Sequence, residues 1–356
     1  MSWYRPPPLN AVECEVCQLQ HVENKAWDEY VYRCPEASHC HLSGWGRVIE
    51  RSYGHRALYL WARGNGEIKG ILPLISMRHF LLRRSLVSLP FLDDGGICAT
   101  DEPSRAQLYE AALRLFEEQK ADVLDLRHRY GNSLDIPRLG SKVILILALA
   151  DHPDAMWQRF DAKLRNQIRK AVKSGLAAAW SGREGLSDFY EVFAANMRDL
   201  GSPVHSRQFF AAILDEFAES AKLMLVRKGN QTIGGAVCLS FRDTLLVPWA
   251  SSQRAYFSLC PNNLLYWEMI RWGCEQGYRR FDFGRSSPKS GTYHFKKQWG
   301  TIEEPLHWQC LSRKPGQAAV LHADDTKYQW LLQTWSRLPL SLTKVVGPWV
   351  RGQVSS

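Results

Sequence analysis

Apolar and polar positions along this chain fall into two groups of elements with the same internal order. In the first, stripes of period 3.6 predict helices near residues 27–33 and 41–52. Period-two alternation then predicts strands near 57–63, 67–76 and 85–89, followed by a helix near 104–120 and a strand near 122–126. In the second, helices are predicted near 155–173, 186–200 and 206–219. Strands near 222–227, 232–241 and 244–250 come next, then a helix near 263–276 and a strand near 279–283. Three sequential strands joined by short turns run antiparallel. A crossover helix then returns the fourth strand parallel to its neighbour. The expected class is α+β, with a mixed, mostly antiparallel sheet flanked by helices in each half.

The halves also echo each other in residues. Positions 58–70 read LYLWARGNGEIKG and positions 223–235 read LMLVRKGNQTIGG, matching at Leu58/Leu223, Leu60/Leu225, Gly64/Gly229, Asn65/Asn230, Ile68/Ile233 and Gly70/Gly235. Gly-Asn supplies the positive φ of a tight hairpin turn. Further on, Glu118-Gln119 leads to Leu124-Asp125-Leu126-Arg127, as Glu275-Gln276 leads to Phe281-Asp282-Phe283 and Arg285. Two echoes in one order indicate a duplicated domain. The expected division is 1–150, 151–311, and a C-terminal tail 312–356 that packs back on the first domain.

The stretch 281–300, FDFGRSSPKSGTYHFKKQWG, is where chemistry concentrates. Phe281 and Phe283 face a core and Asp282 faces away. Gly284 is expected to stop the strand, and a polar loop with Arg285, Ser286, Ser287 and Ser290 runs into the aromatic cluster of Tyr293, Phe295 and Trp299. Such a loop suits an anionic or acyl ligand.

Composition narrows the class. With 45% hydrophobic residues and 14 Trp the chain can build a full core, and its formal charge of +9 suits a polyanionic partner (RNA, a nucleotide-linked substrate or an anionic membrane) and ordinary solubility equally. The longest apolar run, 143–150, is too short to span a membrane. MSWYRPPPLN lacks the apolar core of a signal peptide, so a cytoplasmic protein with reduced cysteines is expected, working at the inner face of the membrane if its substrate is there. The nine cysteines lack framework spacing. Cys14 and Cys17 form a lone CxxC inside VECEV, whose alternation reads as a strand, so no metal site is expected. The basic helix near 155–173 carries Arg165 and Arg169 among several other cations, a face suited to RNA or pyrophosphate contact as well as to solvent.

The element order resembles the GNAT acyltransferase fold, and its doubling resembles the FemAB group. GTYHFKKQWG, from Gly291 to Gly300, is similar to the FemAB Gly-x-Tyr-x-Phe-Lys-x-x-aromatic-Gly pattern, and KLRNQIRKAVKSGL, from Lys163 to Leu176, is similar to the basic helix of that group. FDFGRS, LPLIS, SLPF followed by Gly-Gly, and MRDLGSPV resemble the branch associated with exosortase and exopolysaccharide gene clusters. The resemblance implies transfer of an acyl or aminoacyl group to an amine. It implies no tightly bound cofactor, with acyl-CoA or aminoacyl-tRNA as the donor and an amine-bearing envelope or polysaccharide precursor as the acceptor.

Within that expectation Lys296 occupies the position where a cation stabilises charge developing on the donor. Arg285 adds a planar fork for phosphate or carboxylate, or else pairs with Asp282 or Asp243. Asp282 is a candidate general base or a structural partner of nearby arginines. Tyr293 is a candidate hydrogen-bond donor to acceptor or intermediate, and Ser286 and Trp299 flank these groups. The resemblance places Trp249, Ser251 and Ser252 on a strand edge that splays to receive the acyl chain. The usual acetyl-CoA signature after that strand is replaced by SSQRAYFSLCPNN. A non-catalytic scaffold of a polysaccharide system is the reading outside enzymology, and the apolar, basic stretch WSRLPLSLTKVVGPWVR adds peripheral membrane contact as an alternative to packing.

Overall fold

A computed structural model describes residues 23–64, 66–79, 83–132, 134, 136–313 and 334–355, and the backbone of 13–17. Cys14 and Cys17 are therefore seen only as backbone, in a strand, and their side chains lie outside the described residues, as does Asn65 of the first hairpin turn. Among the described residues no group of three or more His, Cys, Asp or Glu side chains is arranged to hold a metal. Among the same residues no helix is long and apolar enough to cross a membrane.

The first half runs β1 (Glu13–Cys17), α1 (Asn24–Arg33), α2 (Gly44–Tyr53), β2 (Arg56–Gly64), β3 (Glu67–Arg78), β4 (Arg84–Ser88), β5 (Cys98–Ala99), α3 (Glu102–Glu118) and β6 (Val123–His128). The second runs β7 (Val143–Ala148), α4 (Pro153–Arg159), α5 (Ala162–Lys173), β8 (Leu176–Ser181), α6 (Leu186–Asp199), α7 (Arg207–Glu216), β9 (Ala221–Lys228), β10 (Gln231–Phe241) and β11 (Thr244–Ser252). It continues through α8 (Pro261–Glu275), β12 (Arg280–Ser286), α9 (Gly291–Lys297), β13 (Ile302–Pro305), β14 (His307–Ser312) and α10 (Leu340–Arg351).

Two seven-stranded sheets result, ordered β1-β2-β3-β4-β6-β14 with β5 beside β3, and β13-β7-β12-β11-β10-β9-β8. The predicted mixed topology is present twice. In the first sheet β2, β3 and β4 are antiparallel and β6 returns parallel to β4. In the second, β9, β10 and β11 are antiparallel and β12 returns parallel to β11. The strands do not divide at a single point in sequence. β7, which precedes position 150, pairs with β12, and β14 pairs with β6 of the first sheet.

Among the described residues four buried clusters form, and the three largest hold the layers together. One lies under α3 on the first sheet and one under α4, α5 and α8 on the second. The third joins the halves, packing Trp45 and Ile49 of α2 with Phe209 and Phe210 of α7, Tyr59 and Trp61 of β2, and Trp249 of β11. The helix expected over 155–173 is broken. Phe160 turns into the core against Trp267 and Trp299, and the Asp161 carboxylate accepts from Leu164 N at 2.6 Å, opening α5 as a new helix. That cap outcompetes continuation of the helix. Val172 near the end of α5 is 55% exposed.

Candidate functional site

The site begins where the parallel pair β11–β12 comes apart. Cα partners run Thr244–Arg280, Leu245–Phe281 and Leu246–Asp282, and pairing stops there although both strands continue. The cause lies in β12. Gly284, expected to end that strand, instead bends it at φ +72°, with a register shift against β7 between Asp282 and Arg285. A Cβ at Gly284 would sit 3.3 Å from the Asp93 carboxylate and 3.4 Å from Val247 O. Gly284→Ala is therefore expected to cost about 1–2 kcal/mol from backbone conformation alone and to narrow the splay. Chemical denaturation together with ligand binding checks both.

A cavity of about 250 Å³ fills the splay. Its apolar wall is Phe91, Phe193, Met197, Leu200, Trp249 and Phe283, and its polar groups include Asp93, Asn196, His205, Ser251, Arg285, Lys296 and Arg351. A larger depression at Glu36, Glu102, Arg105, Asn132 and Arg138 is open and polar, and its Arg105 is already paired with Glu36 and Glu102.

Lys296 sits in α9, which Ser290 caps by accepting from Tyr293 N at 3.2 Å. Its buried ammonium donates to Gly284 O at 3.1 Å and Arg285 O at 2.9 Å. The lysine thus holds the bent end of β12 and keeps one N–H for the cavity it lines. Burial pushes its pKa down to about 8, against the pull of Asp93 and Asp282.

Arg285 pairs with neither Asp282 nor Asp243. Its Nε lies 3.3 Å from Asp93 Oδ1, its backbone N donates to Asp93 Oδ2 at 2.9 Å, and its guanidinium rests over Trp308. Among the described residues its buried Nη1 has no hydrogen-bond partner. Trp308 in turn donates to Asp93 O at 2.9 Å and carries Arg127 at 4.4 Å from its ring centroid, so β14 ties the two echoed arginines to one indole.

Asp282 points away from the cavity. It accepts from Gly284 N at 2.7 Å and lies 3.4 Å from Arg129 Nη1, while Arg129 also reaches Asp94 at 3.7 Å and Glu304 at 2.9 Å. Burial lifts the Asp282 carboxyl to about 6 despite Arg129. Because its folded value exceeds the unfolded 3.8, this group's stabilisation is largest below pH 4 and is lost as pH rises through 6. Asp282→Asn is expected to remove that dependence and to lower turnover by less than about tenfold, whereas loss of a general base costs about 100-fold or more.

Tyr293 donates to Glu303 at 2.6 Å outside the cavity. Ser286 is buried, its Oγ without a partner among the described residues; Trp299 is in the core of the second half, and Ser252 donates to Asn262. Ser251 lines the cavity and accepts from Asn196 Nδ2 at 3.0 Å. Arg165 and Arg169 stand on α5, bonded to Gln158 and Asn166, away from the cavity lining.

The residues that sequence reading missed come from distant segments. Asp93 and Phe91 lie in the loop after β4, where Leu89 and Phe91 adopt φ of +59° and +74°. His205 precedes α7, and Arg351 ends α10. Arg351 Nε can only donate, so His205 Nε2 accepts at 3.1 Å and Nδ1–H donates to Tyr53 OH at 2.7 Å. Burial holds this imidazole neutral, its pKa well below 6.5. The available signal was partial: SLPF ends on Phe91, MRDLGSPV ends just before His205, and WSRLPLSLTKVVGPWVR ends on Arg351.

The chain is similar to known proteins over most of its length. Residues 158–297 match the acetyltransferase (GNAT) domain model. The lipid II:glycine glycyltransferase of Staphylococcus haemolyticus is 20% identical over 92% of this chain and 98% of its own length. That of Staphylococcus aureus is 19% identical over the same shares. Among solved structures, FemX superposes with a TM-score of 0.63 at 17% identity, covering 82% of this chain and 96% of its own. A tandem GNAT protein from the clavulanic acid biosynthesis pathway gives 0.54 at 10% identity, covering 85% and 99%. Both show the tandem GNAT-like fold.

Proposed function

We propose that this chain, an acyltransferase homologous to the FemAB-type lipid II:glycine glycyltransferases, moves an aminoacyl group from an aminoacyl-tRNA to an amine of a cell-envelope precursor. The observation that carries the reading is the β11–β12 splay with Lys296 at its throat. There the precursor's amine attacks the ester carbonyl bound in the cavity. The C–N bond forms, the ester C–O bond breaks, and the departing ribose oxygen takes up the proton the amine gives up. The Lys296 ammonium faces the oxygen on which charge develops. Arg285, fixed by Asp93 and Trp308, aligns an anionic portion of substrate. No covalent intermediate is required, since holding the two substrates together supplies much of the acceleration.

The donor is favoured by the start of α8. Where a CoA pyrophosphate would need a row of free N–H groups, Pro261 has none, and Asn263 N points back to Cys260 O at 3.1 Å. Lys163, Arg165, Arg169, Lys170 and Lys173 of α5 supply a cationic face for RNA. An acyl-CoA donor remains the second reading because the matched domain is of acetyltransferase type.

Binding separates the two. With about five phosphate contacts, affinity for charged tRNA is expected to drop about 100-fold between 50 and 200 mM salt, and charged tRNA to raise the melting temperature by mass action. Stabilisation by acyl-CoA and none by charged tRNA would reverse the assignment.

A further inference from the structure

The outward side of α10 has the wrong polarity for a solvated helix. Leu342, Val345 and Trp349 follow at helical spacing along one side and are 44%, 75% and 59% exposed, with Val354 just beyond at 42%. A helix face in water is ordinarily polar. The inward side is spoken for: Thr343 and Gly347 are buried, and a Cβ at Gly347 would press on Val204 at 2.9 Å. Across residues 334–355 the charged residues are Arg337, Lys344 and Arg351, with no Asp or Glu, in a chain whose formal charge is +9. Lys344 pairs with Glu191 of α6, and Arg337 is exposed.

We infer that this face docks on an anionic lipid bilayer. Aliphatic and Trp side chains on a segment with no Asp or Glu of its own, with Arg337 exposed beside them, match the two attractions such a surface offers: burial at the acyl boundary and the negative headgroup potential. Lying in the interface plane, α10 spans about 18 Å.

The docking face is tied to the cleft. Past the helix, His55 Nε2 donates to Gly352 O at 2.7 Å, His79 Nδ1 meets Gln353 O at 2.7 Å, and Phe91 N donates to Ser355 O at 2.9 Å. Arg351 turns the other way and lines the cavity, whose rim carries Leu200 at 61% exposure. Docking therefore holds the cleft beside the lipid surface. Its use there, collecting an acceptor presented by the membrane, rests on the aminoacyl-transfer reading; the binding itself does not.

Vesicle co-sedimentation of the full chain tests it. Wild type is expected to pellet with 30% phosphatidylglycerol vesicles at low salt and to pellet less with pure phosphatidylcholine. Val345→Glu/Trp349→Glu is expected to lower partition at least about tenfold, and Tyr130→Glu, an exposed aromatic elsewhere, to leave it unchanged. If the double variant melts early, amide exchange of residues 342–354 in wild type takes its place, with protection expected only in the presence of anionic vesicles. No binding by wild type, equal binding by a folded double variant, absent protection, or a solution dimer that buries Val345 and Trp349 would each overturn the inference. Because lipid binding is read without turnover, its failure leaves the aminoacyl-transfer reading standing, and the reverse holds.

Discussion

Lys296→Ala is expected to reduce turnover by about 100- to 1,000-fold, the usual effect of removing one preorganised donor from a developing oxyanion. The variant should fold, with a loss of about 1–3 kcal/mol because the Gly284 and Arg285 carbonyls lose a buried partner. Lys297→Ala is the control. Lys297 is one residue away but partly exposed and paired with Glu303, so its loss should change stability by less than about 0.5 kcal/mol and turnover little. The ammonium form is the active one. With its pKa near 8, turnover should fall as pH rises through 8. Stability moves the other way. The folded value lies below the unfolded 10.5, so the penalty of burying the charge is full below 8 and is relieved as pH climbs from 8 to 10.5. A rate that stays flat to pH 9, or full activity in Lys296→Ala, would remove the lysine from the mechanism.

Arg129→Ala is expected to cost about 3–5 kcal/mol of stability, because it strands Asp282 and Asp94 in the interior and leaves Glu304 with one partner fewer. Arg129 follows β6 of the first half, while Asp282 and Glu304 belong to the second sheet, so this guanidinium joins the halves beneath the cleft. Urea denaturation measures the loss. Adding Asp282→Asn should restore part of it, since one stranded charge is removed, and a double-mutant cycle should return a coupling above about 0.5 kcal/mol. A loss under about 1 kcal/mol for Arg129→Ala would mean that water already solvates these carboxylates.

The fold was legible in the sequence because duplication wrote the same signals twice. The Gly-Asn hairpins and the Glu-Gln to strand echoes fixed the order of three antiparallel strands, crossover helix and parallel strand, and β2–β4 with β6 and β9–β12 follow it. Periodicity records which face of a strand is buried but not which strand lies beside it. The run 143–148 was readable as a strand; its pairing with β12, and the crossing of β14 to β6, are tertiary choices. The break at Phe160–Asp161 turned on a single capping carboxylate, invisible to a stripe that continues through it.

The lining of the candidate site was legible where chemistry and element coincide. Arg285, Lys296, Trp249 and Ser251 meet in one cavity because they lie on the two strands that part and on the helix that follows. Asp282 and Tyr293, close to them in sequence, are carried away by alternation along β12 and by the facing of α9. Asp93, His205 and Arg351 arrive from a loop, a helix start and the tail, and only the assembled halves bring them together.

The central claim is tested most directly by following label. Purified protein is incubated with tRNA charged with a radiolabelled amino acid and with an amine-bearing envelope precursor, in the absence of CoA. The account predicts that label passes to the precursor as an amide with wild type and at least about 100-fold more slowly with Lys296→Ala. Label that moves only when acyl-CoA is the donor, or that moves equally with Lys296→Ala, would contradict it.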